Sequence, residues 1–374
     1  MNVLFIEDQP QSVEPAIRRL RRSRKTRYNS RVVGFQETER SIDEFAPDIV
    51  ILDLLEVMEA GDREPTGLAQ YDIVWNHLFC PLVVYSAQPE IATDRHEPHP
   101  FVKAVQKGRD SVTQLMETIG DLKPHVEALR EAKLHVRHQF ARALRDVAPY
   151  AFRSFQSKAE VSETIVRSGR RRLAAMMDTQ PGETLAAWEH YLCPPLSGDI
   201  QLGDLLLRTE GAENDPASFR VVLTPSCDLV ASEGRFPKVT SVLVAKCCSI
   251  KKGIQLTSLG DISVKKLKSR LPSPILTQGY FETILPLPSL FGRIPCMAAD
   301  LQELALIPLE RIGNENAEFK RIASMDSPFR ELVAWSYMQV AGRPGLPDRD
   351  FRKWGQEILS ECGKEEEQRE EPDH

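Results

Sequence analysis

Over the first 119 residues, short and nearly continuous apolar runs alternate with helical patterns. The runs are Asn2–Ile6, Arg31–Phe35, Asp48–Leu52, Leu82–Tyr85 and Phe101–Val105. The first four are rich in Val, Ile, Leu, Phe or Tyr, as strands covered on both faces should be. Between them Val13, Ile17 and Leu20 fall at helical spacing, as do Leu68, Tyr71 and Trp75, and then Val112, Leu115, Met116 and Ile119. Strands alternating with helices predict right-handed crossovers and a parallel sheet. Residues 1–120 are therefore expected to form an α/β domain with a doubly wound, five-stranded parallel sheet. Pro89, Pro98 and Pro100 leave no convincing helix between Ser86 and Phe101.

From 121 the strand signal stops. Val126, Leu129, Ala132, Leu134 and Val136 lie in a charged stretch. It reads as a long helix broken near Pro149, with a second helix around Lys158–Met177. Pro181-Gly182 and Cys193-Pro194-Pro195 punctuate the exit. Residues 121–195 are thus expected to be a helical connector. Residues 196–360 are expected to be a mixed, mostly β module with terminal helices. Its predicted strands are Asp204–Arg208, Phe219–Leu223, Val239–Ala245 and Phe281–Leu285. Residues 319–360 turn helical, around Phe329–Val340 and Asp350–Leu359. Ser327 is the expected N-cap of the first of these helices, with Pro328 in its first turn. The tail 361–374 is expected to be disordered, because Lys364–His374 carries six acids against two bases.

The chain has 374 residues, enough for two or three domains. Its 41% hydrophobic content can bury a core. No apolar run approaches the ~20 residues of a membrane span. Met1 leads straight into Val3–Ile6, so no signal peptide is expected. Seven irregularly spaced cysteines argue for reduced thiols, and a cytoplasmic protein is expected. A net charge of −6 excludes a global nucleic-acid footprint. Locally, Arg18, Arg19, Arg21, Arg22, Arg24, Lys25, Arg27 and Arg31 form a basic run. A nucleic-acid face is one reading of it; a solvated helix face is preferred. The same holds for Arg167 and Arg170–Arg172.

Chemistry concentrates at predicted strand ends. Glu7 and Asp8 follow the first strand, Asp53 ends the third, Ser86 ends the fourth and Lys107 follows the fifth. In an open parallel sheet, ligands bind outside the carboxyl ends of the strands. Clustered Glu7, Asp8 and Asp53 favour a hard cation such as Mg²⁺. Asp53 is then the candidate nucleophile toward a phosphoryl donor. Lys107 and the metal would stabilise the transferred charge, and Ser86 would hydrogen-bond the phosphoryl group. Lys103 competes with Lys107 but lies inside its strand.

Phe5-Ile6-Glu7-Asp8, Ile51-Leu52-Asp53-Leu54, Val84-Tyr85-Ser86-Ala87 and Lys107 resemble the receiver domain of bacterial two-component response regulators, over residues 1–120. The resemblance implies a phosphoacceptor at Asp53, bound Mg²⁺, and a histidine kinase or other phosphodonor as partner. The sequence departs from the family in three places. Glu56–Glu64 lengthen the loop before Pro65-Thr66-Gly67, Lys107 is followed by Gly108 rather than Pro, and the fourth helix is missing.

In the C-terminal half a strand delivers Thr224-Pro225-Ser226-Cys227-Asp228-Leu229, with Cys247 and Cys248 after the next strand. Cys227 reads as a nucleophile, as a zinc ligand with Cys247 and Cys248, or as a small buried residue at a turn. No His lies between His190 and His374, and a C-x₂-C knuckle is absent, so burial without a His or metal partner is expected. Leu202–Leu207 resembles the first strand of small SH3-like barrels, including toxin endoribonucleases of the PemK/MazF type. Thr224–Leu229, Leu285-Pro286, Ser327–Arg330 and Arg343–Pro347 resemble an uncharacterised module found with signalling and anti-phage conflict proteins. That likeness implies a defence context and a partner protein of the same operon. The whole reads as a signal-transduction protein in which a receiver controls an output module. A receiver-gated nuclease or hydrolase, and a non-phosphorylated receiver serving as an interaction module, stay open as alternatives.

Overall fold

The computed structural model describes residues 1–24, 26–57, 63–64, 66–77, 79–93, 99–178, 184–195, 198–231, 236–260, 263–270, 278–313, 317–343 and 350–370. The chain divides into two units, Met1–Gly182 and Glu183–His374.

In the first unit five parallel strands stand in the order β2-β1-β3-β4-β5. They are β1 (Asn2–Ile6), β2 (Asn29–Val33), β3 (Ile49–Leu52), β4 (Leu82–Ser86) and β5 (Val102–Gln106). Helices α1 (Pro10–Arg21), α2 (Thr38–Phe45), α3 (Gly67–His77), α4 (Glu90–Thr93) and α5 (Ser111–Ser154) connect or follow them. Alternation along the strands builds two cores. Val3, Phe5, Ile49, Ile51, Val83 and Tyr85 pack with Val13, Ile17 and Leu20 of α1 and Leu115 and Ile119 of α5. Leu4, Ile6, Val50, Leu52, Leu82 and Val84 pack with Ile42 of α2 and Tyr71 and Val74 of α3. The central strands β1, β3 and β4 are buried on both faces, so they read as unbroken apolar runs rather than as alternations. The expected α/β class and doubly wound parallel sheet are present.

Helix α4 has only four residues, as the prolines suggest, and residues 94–98 fall outside the described set. Helix α5 continues through the expected boundary at 120 for 44 residues and carries Pro124 and Pro149 within it. The expected break near Pro149 is absent, and that residue sits in the last turns. Helix α6 (Lys158–Asp178) packs on α5, with Gly169 against Leu144.

The second unit holds an eight-stranded, largely antiparallel sheet. Its strands are β6 (Tyr191–Leu192), β7 (Asp204–Arg208), β8 (Phe219–Val222), β9 (Ser241–Ser249), β10 (Ile284–Leu287), β11 (Met297–Pro308), β12 (Ile312–Gly313) and β13 (Phe319–Met325). Their order is β10-β11-β9-β8-β7-β13-β12, with β6 paired to β13. Helices α7 (Ser226–Leu229), α8 (Ile250–Gln255), α9 (Val264–Arg270), α10 (Phe329–Ala341) and α11 (Phe351–Glu370) complete it.

Phe319–Met325 is a strand, not part of a helical region. A register shift between Arg321 and Ala323 disrupts the period-two pattern that would have marked it. Met297–Pro308 is also a strand, although Ala, Leu, Gln and Glu give it helical propensity. Pairing on both sides, with β9 and β10, overrides that preference. Cys247 and Cys248 lie inside β9 rather than after it. Ser327 makes no side-chain cap; α10 starts at Phe329 with Pro328 at the cap position. The acidic tail is helical as far as Glu370, and residues 371–374 are outside the described set. No described helix is long and apolar enough to cross a membrane.

Candidate functional site

The sheet ladder runs one residue past the strand ends, and this sets the site. The Glu7 amide donates to the Val33 carbonyl at 2.9 Å and the Asp53 amide to the Ile6 carbonyl at 3.0 Å. Glu7 and Asp53 therefore emerge side by side at the carboxyl edge. Likewise the Lys107 amide donates to the Ser86 carbonyl at 2.8 Å, so the ends of β4 and β5 are aligned.

Ligand oxygens of Glu7, Asp8 and Asp53 lie within 4.8 Å of one another. Among the described residues this is the one group of three or more acidic, His or Cys side chains so arranged. Lys107 Nζ donates to Glu7 Oε2 at 2.6 Å and to Asp53 Oδ2 at 2.5 Å. Asp53 Oδ1 accepts from the amides of Leu54 at 2.7 Å and Leu55 at 3.3 Å. Its two oxygens are thus distinguished, one held by main chain and one turned to the cation. Lys103 is exposed on β5 and takes no part.

Glu7 and Asp53 are buried. Burial pushes the Glu7 carboxyl above its ordinary value despite the opposing pull of Lys107. Burial works against the Lys107 ammonium as well, but its bonds to Asp53 and Glu7 outweigh that and hold its pKa above the ordinary value.

Three supporting features are not obvious from sequence. Tyr85 places its ring 5.5 Å from Lys107 Nζ. Ser111 Oγ donates to the Gly108 carbonyl at 2.9 Å, so its 2.8 Å contact with the Tyr85 hydroxyl has tyrosine as donor. Together they brace the Lys107-Gly108 turn. Gly67, the first residue of α3, donates to the Leu54 carbonyl at 3.1 Å. A Cβ there would stand 2.3 Å from the Asp53 carbonyl oxygen and 2.5 Å from Leu54 Cα. Only glycine permits this approach, and the Pro65-Thr66-Gly67 triplet was the available signal.

Ser86 is fully buried, and its Oγ has no hydrogen-bond partner among the described residues. A buried hydroxyl without a partner is costly and calls for a reason. The long loop after Asp53 includes a short antiparallel ribbon, Glu56–Val57 with Arg63–Glu64; Glu59 and Asp62 lie outside the described residues.

Among its described residues the second unit brings no comparable set together. Cys227 is exposed, contrary to expectation. Ser226 and Leu229 take the inward positions of α7: Ser226 Oγ accepts from the Leu202 amide at 3.0 Å, and Leu229 is buried. Thr224 Oγ1 accepts from the Leu243 amide at 2.7 Å, and Asp228 pairs with Lys238 at 2.7 Å. The Thr-Pro-Ser-Cys-Asp segment thus staples a turn to the sheet. Cys247 and Cys248 are buried in different apolar clusters, and burial pushes both thiols up. Several of the basic residues make separate local contacts, and Lys25 lies outside the described residues. Arg18 pairs with Glu14, Arg19 donates to Thr113, and Arg172 pairs with Asp146.

No protein-family model and no curated protein matches the chain. Solved structures do. The receiver domain of the PhyR response regulator from Erythrobacter litoralis is 20% identical over 30% of this chain and 84% of that one, with a TM-score of 0.22. A structure of the PhyR stress response regulator shows 20% identity over 30% of this chain and 41% of that one, with the same TM-score. A fusion of a yeast trimeric coiled coil to another structure shows 16% identity over 47% of this chain and 94% of that one, with a TM-score of 0.27.

Proposed function

We propose that residues 1–120 form a phosphoacceptor receiver and that the protein is a signal-transduction regulator. The observation that carries this reading is the Lys107 ammonium shared between Glu7 and Asp53, with Asp8 beside them and a partnerless Ser86 hydroxyl on the neighbouring strand end.

The acidic trio suits a hard divalent cation, because its oxygens are close to the separation that ligands about 2.1 Å from one Mg²⁺ can have. Such an ion, when bound by Glu7, Asp8 and Asp53, would neutralise the oxygens of an incoming phosphoryl group. The chain's own residues do the rest. Main-chain amides hold Asp53 Oδ1, so Oδ2, which faces Lys107, is the oxygen that attacks the donor phosphorus. The bond from phosphorus to the donor's leaving group breaks as the new P–O bond forms, and Asp53 becomes an acyl phosphate. The Lys107 ammonium, already hydrogen-bonded to Oδ2, shifts that hydrogen bond to a phosphoryl oxygen. Ser86 gains the acceptor that it lacks. The donor is a histidine kinase or a small acyl phosphate, and the partner is a protein that reads the changed edge.

Intact-mass measurement with acetyl phosphate and Mg²⁺ tests the proposal. One added phosphoryl group is expected on the wild type and none on Asp53→Asn. Labelling that persists in Asp53→Asn, or is absent from both proteins, turns the domain into a receiver in shape only, serving as an interaction module.

A further inference from the structure

We propose that the second unit contains a binding site for a neutral, predominantly apolar small molecule. A cavity of about 590 Å³ opens there, within the range of small-molecule sites. Its walls come from elements already fixed by the fold: Ile250 and Ile254 of α8, Leu285 and Leu287 of β10, and Phe329 and Leu332 of α10.

The polar groups around this cavity define the ligand. No Asp, Glu, Lys or Arg is among its described lining residues, so a charged ligand would be desolvated without a counter-ion. The polar groups are His190, Tyr191, Gln278 and the exposed Cys296. The Tyr191 hydroxyl already donates to the Pro288 carbonyl at 2.9 Å. That leaves the His190 imidazole and the Gln278 amide as the strong donors to a ligand, with the Cys296 thiol a weak one. His190 is held in place: its carbonyl accepts from the Asp326 amide at 3.0 Å, and its ring centroid lies 3.6 Å from that of Phe329. Burial lowers its pKa, which favours the neutral ring.

A peptide strand fits this place poorly. Strand β10 lies at one edge of the sheet, and Pro286 within it and Pro288 just after it have no backbone N–H to donate. A compact molecule with an apolar body and one acceptor facing His190 and Gln278 satisfies the walls and the donors together.

The test uses the full-length protein and Nile red, a neutral apolar dye whose emission rises out of water. Saturable binding is expected. Ile254→Trp, which fills the cavity from α8, should abolish it. His190→Ala should weaken it about tenfold, the loss of one hydrogen bond. Phe291→Ala, at a surface phenylalanine that is 90% exposed, should leave it unchanged. Decan-1-ol should displace the dye and decanoate should not. Circular dichroism confirms that each variant is folded; if Ile254→Trp is not, His190→Ala and the competition decide. Dye binding unchanged in His190→Ala, lost equally in Phe291→Ala, or displaced equally by decanoate overturns the proposal.

Discussion

Glu7 is buried against a lysine, and the balance between these two effects is measurable. Its carboxyl sits above the ordinary 4.5 because burial outweighs the attraction of Lys107. The folded state therefore holds this proton more tightly than the unfolded chain does. Glu7 contributes stability that is full below 4.5 and is lost as pH rises through its raised value. Relative to Glu7→Gln, the wild type should gain stability as pH falls from neutrality toward 4.5. Urea unfolding of both proteins across that window, without divalent ions, checks this, and a constant difference contradicts it. Lys107→Met leaves two buried carboxylates facing each other. It should cost about 1–3 kcal/mol, below the ~3–5 kcal/mol of a fully buried pair, because Lys107 keeps 21% of its side chain exposed. Chemical denaturation measures this directly, and an unchanged midpoint would show that the two ion pairs add nothing. Residue identity and order made Glu7, Asp8, Asp53 and Lys107 legible from sequence, since each follows an apolar run. Cys227 was misread because its immediate sequence does not reveal that Ser226 occupies the inward position of the turn.

At the scale of elements, the junction of β3 and α3 is the tightest part of the site. Gly67→Ala would press a methyl group onto the Asp53 and Leu54 backbone. A cost of about 1–3 kcal/mol is expected, together with slower phosphorylation, since the backbone that must yield carries Asp53. Thermal melts and labelling rates of the variant check both parts. The central strands β1, β3 and β4 of the first unit were legible because burial on both faces writes them as apolar runs, whereas the edge strands β2 and β5 are partly exposed and carry polar residues. In the second unit, Leu205 and Leu207 face one core and Leu206 the other, and β7 was legible for the same reason. Strands β11 and β13 were not. One has helix-favouring residues in a site that its neighbours determine, and the other is interrupted by a shift in register.

For the whole molecule, each core cluster draws on residues of a single unit. Ile51→Ala and Val221→Ala are each expected to cost about 2–5 kcal/mol, each lowering the unfolding transition of its own unit. Unit-specific hydrogen exchange during denaturation would show this, and equal shifts in both units would contradict it.

Asp53 is the proposed phosphoacceptor, and locating the modified residue decides whether it is. After treatment with acetyl phosphate and Mg²⁺, borohydride reduces an aspartyl phosphate to homoserine, and peptide mass mapping finds its position. Homoserine at position 53 alone, and none when Mg²⁺ is withheld, is the predicted result. Reduction at another carboxylate, or at none while the fold is intact, would contradict it.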